Sequence, residues 1–141
     1  MLKWAAVGTW FITIDGGLLL LGSWLRGGGL RRSRRRGPRI GPELIGLHFS
    51  LAGTAFALWI VYLLHGGRVY AIVALCMLVL VATIGFTMFG IWVVHRVSPR
   101  RAGDPTKVRP VDQRLPVTVI VLHGLFAAAT LILVALTVIT S

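Results

Sequence analysis

The chain has 141 residues, 56% of them hydrophobic and 13% charged, where a soluble domain carries about 25% charged residues. The charge is one-sided, 15 Lys and Arg against 4 Asp and Glu. The single cysteine, Cys76, excludes an intrachain disulfide, and no Walker loop, HExxH or GxSxG is present, which argues against a self-contained hydrolase or transferase.

Four apolar stretches reach the ~20 residues a helix needs to cross a hydrocarbon core. The first runs over about 4–25. The linker 26–42, RGGGLRRSRRRGPRIGP, combines the glycines and prolines that break helices with a run of arginines. The second stretch covers about 44–64 and is followed by the tight turn HGGR at 65–68. The third covers 69–94, a proline-containing linker of mixed charge covers 95–116, and the fourth stretch covers 117–140. The apolar pattern is continuous rather than alternating, so the spans are helices and not barrel strands. Residues 1–141 are therefore expected to form a single transmembrane domain, an all-α integral membrane four-helix bundle. A cleavable leader is a rival reading of the first stretch. It is disfavoured by Asp15 within the stretch and by the lack of a clear small-residue cleavage site.

Orientation follows from the cations. The first long linker holds Arg26, Arg31, Arg32, Arg34, Arg35, Arg36 and Arg39, and the second holds Arg96, Arg100, Arg101, Lys107, Arg109 and Arg114, leaving only Lys3 and Arg68 for the other side. Basic loops are retained in the cytoplasm, so both termini are expected outside and both long linkers inside. Trp4, Trp59, Tyr62 and Tyr70 then fall at the outer boundary, Trp24 and Trp92 at the inner one, and Trp10 deeper. The run Arg31–Arg39 is expected to meet anionic lipid headgroups, at about 1 kcal/mol per residue near the surface, rather than nucleic acid. The high Arg, Ala, Val and Gly content suggests a bacterial cytoplasmic membrane.

An ionisable side chain at bilayer depth costs ~2.5–3.5 kcal/mol on insertion scales, so Asp15, His48 and His123 each require a reason. Glu43, His65 and His95 lie at span ends. At ~1.5 Å per residue, His48 and His123 sit ~7 and ~10 Å inside the same boundary. They belong to the second and fourth spans, which are diagonal in an up-down bundle. Leu47-His48-Phe49-Ser50-Leu51-Ala52-Gly53 also lines up with Leu122-His123-Gly124-Leu125-Phe126-Ala127-Ala128, as though a two-helix unit had been duplicated. Two axial imidazoles from two helices hold a haem iron, with Arg96 and His95 suited to its propionates. The competing readings are interhelical hydrogen bonding, to each other or to Ser50 and Thr130, and a proton or metal role. Zinc is disfavoured because two imidazoles fall short of its four ligands.

Asp15, a candidate buried acid, precedes Gly16-Gly17. It admits three readings: a proton or ion relay, a protonated carboxyl bonded to Thr13, Thr83 or Thr87, or an interface to another membrane subunit. Gly46–Ser50–Gly53 and Gly85–Gly90 are expected to mark close helix contacts.

On Leu47-His48-Phe49, Val121-Leu122-His123-Gly124-Leu125 and the arginine-rich inner loops, the layout resembles small four-helix b-type cytochromes and uncharacterised actinobacterial multi-pass membrane proteins. That resemblance implies haem b as cofactor and a redox or electron-transfer subunit. It departs from carriers holding two haems, which need a second histidine pair near the outer face, where only His65 lies. The architecture equally suits a non-catalytic accessory subunit of a larger membrane complex or a small proton- or ion-coupled transporter.

Overall fold

A computed structural model of the chain describes residues 1–32, 40–97 and 115–140, and every regular element among them is helical. α1 spans Leu2–Arg26, the short α2 Gly29–Arg32, α3 Pro42–His65, α4 Arg68–Val97 and α5 Val117–Thr140. α1, α3, α4 and α5 are each long and apolar enough to cross a membrane. The fold is thus an all-α four-helix bundle consistent with a multi-pass membrane protein. One end, here the basic end, is where the arginine-rich linkers leave. The other, the terminal end, carries Leu2, Thr140 and the α3–α4 turn.

The helix ends follow from local chemistry. α1 stops where Gly28 takes a φ of 82°, the left-handed region glycine adopts without a Cβ penalty. A Cβ on the next residue, Gly29, would collide with the Trp24 ring, which is folded beneath the turn. Pro42 opens α3 after Gly41, with Glu43 in its first turn, where the missing proline N–H costs nothing and a carboxylate suits the helix dipole. Gly66 and Gly67, at φ 73° and 82°, make the tight α3–α4 turn expected of HGGR.

α1 packs along α5, α3 along α4, and α4 more narrowly along α5. α1 and α3 meet through rings: Trp10 lies 5.4 Å from Phe56 and Phe11 lies 5.5 Å from it, both edge to face. Around the bundle the order is α1, α3, α4, α5, so the diagonal pairs are α1 with α4 and α3 with α5. The α1–α5 seam holds hydroxyls. Thr130 Oγ1 lies 2.9 Å from Thr9 Oγ1 and 2.8 Å from the Phe126 carbonyl. Replacing Thr130 with isosteric valine is expected to cost about 1 kcal/mol or less, read as a small loss of thermal stability in detergent. A loss several times larger would mean that the seam depends on this hydroxyl far more than on its packing.

The packed core occupies the terminal half: Ala6, Trp10, Ala55, Trp59, Ala71, Ala74, Leu78, Val134 and Val138. Two sequence expectations change here. Trp59 is 0% exposed, and Trp24 and Trp92 are buried as well. They are packing residues rather than a headgroup belt, and Trp10, which did not fit that belt, is core. Gly46, Ser50 and Gly53 face outward, with open space where a Cβ on either glycine would stand. Among the described residues no other helix packs where a Cβ on Gly46 or Gly53 would stand.

A duplication runs further than the histidine segments suggested. One offset relates Ala6 to Ala74, Trp10 to Leu78, Gly17 to Gly85, Gly22 to Gly90 and Trp24 to Trp92. In each of the pairs Ala6–Ala74, Trp10–Leu78 and Trp24–Trp92 both members are buried. A second offset relates His48 to His123, Ala55 to Thr130 and Trp59 to Val134, and both members of the last two pairs are buried. Corresponding positions of the hairpins α1–α3 and α4–α5 are thus buried alike, the pattern of a repeated two-helix unit.

Candidate functional site

His48 and His123 are each the seventh residue of their helix, about 9 Å along the axis from its start. Their rings face each other with centroids 6.4 Å apart and planes inclined at 59°. The diagonal arrangement and common level expected from the sequence are thus both present.

Each ring is seated by the other hairpin. His123 rests on α1, where a Cβ on Gly16 would stand 3.3 Å from the His123 Cβ and one on Gly17 would stand 3.2 Å from its Cε1. His48 rests on α4, where a Cβ on Gly85 would stand 3.3 Å from its Cε1. The glycines accommodate the imidazoles themselves. Four residues before Gly17, the Thr13 carbonyl lies 2.8 Å from His123 Nδ1. A carbonyl only accepts, so Nδ1 carries the proton and donates, leaving the Nε2 lone pair free in the neutral ring. Four residues before Gly85, the Val81 carbonyl lies beside the His48 ring, but His48 Nδ1 is buried without a hydrogen bond of good geometry. The pseudo-symmetric partner thus repeats the seat and leaves one polar atom unsatisfied. The signal that could have located these seats is the repeated Gly-x4-Gly-x-Trp at Gly17–Trp24 and Gly85–Trp92.

Packing changes abruptly at the histidines. Along α3 the first buried residue is Ala55 and along α5 it is Thr130, each two turns beyond its histidine. The pair therefore stands at the edge of the packed core of α3 and α5, and Trp24 and Trp92 are buried farther toward the basic end on α1 and α4.

The other candidate residues are not gathered here. Arg96 is exposed, with its guanidinium 5.2 Å from the Trp92 ring centre, and lies about 16 Å farther along α4 than Gly85. It is a cation–π partner of Trp92 and does not lie at the level of the histidines. The side chains of His95 and of the Arg31–Arg39 run lie outside the described residues. Asp15 is not a buried acid of the bundle, because its side chain is exposed. Among the described residues no hydrogen bond joins Asp15 to the hydroxyls expected as its partners: Thr13 donates to the Thr9 carbonyl, Thr83 to that of Val79 and Thr87 to that of Thr83.

Among the described residues no three His, Cys, Asp or Glu side chains converge as a metal site. A two-imidazole donor set suits a metal whose remaining positions a macrocycle fills, and does not complete a zinc tetrahedron. The 6.4 Å between centroids is also an ordinary spacing for two packed rings. No known protein family, curated protein or solved structure matches this chain.

Proposed function

We propose that the chain is a membrane-embedded haem b protein, a redox or electron-transfer subunit in which His48 and His123 supply the two axial nitrogens. The observation that carries this reading is the facing imidazole pair, 6.4 Å between centroids, two turns from the first buried residues of α3 and α5. In this reading the Thr13 carbonyl fixes the tautomer and orientation of His123, which is how a second shell prepares a ligating imidazole. A small rotation brings His48 Nδ1 to the Val81 carbonyl and satisfies its unpartnered atom. Gly16, Gly17 and Gly85 hold the two imidazoles against α1 and α4. One-electron redox chemistry is what the haem supplies when bound. The imbalance of thirteen basic residues against two supports both termini outside and both linkers inside a bacterial cytoplasmic membrane.

The test is the visible spectrum of the purified protein, as isolated and after adding haem. A Soret band with a low-spin, bis-imidazole signature is expected, lost or converted to a high-spin form in both His48→Ala and His123→Ala. Failure to take up haem, or an unchanged spectrum in either variant, overturns the ligand pair. A relay through the bundle by Asp15 has no support, since that carboxyl points away from the histidines.

A further inference from the structure

Asp15 stands at the middle of α1 and is exposed. At about 100° per residue it lies roughly 180° around the helix from both Ala6 and Trp24, which are buried. It is thus centred on the face that points out of the bundle. Gly8 and Gly22 are two turns to either side on that face. Open space stands beyond a Cβ on Gly8, and only the end of the Arg26 side chain, 3.5 Å away, beyond one on Gly22. Exposed Phe11, Ile12, Leu18 and Leu19 fill the rest. The pseudo-symmetric position on α4 is Thr83, also outward-facing and satisfied by its own helix through Val79. The hairpin fold therefore does not require an acid here.

We propose that this face of α1 binds a transmembrane helix of another membrane protein that carries a lysine or arginine at mid-bilayer depth, paired with Asp15. The proposal rests on the membrane-spanning reading and is independent of haem. A carboxyl facing hydrocarbon is expensive unless paired, and the glycines allow the close helix approach that pairing needs. Charge selects the occupant. A second copy of this chain offers no lysine or arginine at that depth, and its His48 and His123 face each other inside the bundle. With a net charge of +11, it would also set one arginine-rich linker against another. A foreign helix with one central cation meets both conditions.

The full chain, labelled and reconstituted in phosphatidylcholine vesicles, is tested by energy transfer against two designed Leu/Ala single-span helices. One carries a central lysine and the other leucine at that position. The lysine helix is expected to associate at least about tenfold more tightly, a preference kept by Asp15→Glu and lost in Asp15→Asn. Equal association of the two helices, or a preference that survives Asp15→Asn, overturns the proposal. So does self-association of the chain that Asp15→Asn abolishes, which would make a second copy the occupant. A chain stripped from vesicles by alkaline carbonate overturns the membrane reading and this proposal together. An inserted chain indifferent to lysine overturns this proposal alone.

Discussion

Replacing Trp59 by alanine is expected to cost about 3–5 kcal/mol of stability, the largest loss of any single truncation in this core. Trp59 is 0% exposed. Its ring lies 6.2 Å from Trp10 and 5.0 Å from Tyr62, linking α3 to α1 and to its own last turns. These ring contacts compensate for the few backbone contacts between α1 and α3. Removing the indole opens a cavity between α1 and α3. Trp59 Nε1 is buried without a partner, so the N–H adds a desolvation cost rather than a bond. Trp59→Phe keeps most of the volume and deletes that orphan donor, and is expected to change stability by less than about 1.5 kcal/mol. Unfolding in mixed detergent checks both variants. Equal losses for Ala and Phe would mean that the indole N–H, and not ring volume, holds α3 to α1.

The second large effect is expected at the histidine seats. Gly17→Leu and Gly85→Leu should each displace one imidazole, because even a Cβ would stand 3.2 or 3.3 Å from a ring carbon and a full side chain has no space to enter. The cost in stability is about 1–3 kcal/mol, as for overpacking, and the consequence for ligation is larger, since one nitrogen leaves the axis. In the haem-loaded protein each variant should convert the bis-imidazole spectrum to a high-spin one. Gly90→Leu serves as the control, because a Cβ there meets nothing within 4 Å, and it should leave the spectrum unchanged. The pseudo-symmetry makes a further demand, that the two seat variants behave alike. A spectrum altered by Gly17→Leu and untouched by Gly85→Leu would show that the two histidines are not equivalent.

Sequence by itself determined the helices, because their physics is local. About twenty consecutive apolar residues, bounded by glycine, proline and arginine, have one low-energy conformation in hydrocarbon. The four segments expected at about 4–25, 44–64, 69–94 and 117–140 agree with the helices to within a few residues. The pairing of His48 with His123 was legible too, since equal distance from two helix starts fixes equal depth whatever the packing. Tertiary structure decided which way each side chain points. On an apolar helix every face is hydrophobic, so the pattern does not distinguish a face turned to lipid from one turned to a neighbour. For that reason Gly46, Ser50 and Gly53 were expected at a contact and lie outside, while Trp24, Trp59 and Trp92 were expected at headgroups and lie inside. Asp15 is the sharpest case. Its depth was fixed by counting residues along α1, but only the packing of Thr9, Thr13, Gly16 and Gly17 against α5 turned it outward, because that seam uses the opposite face of the helix.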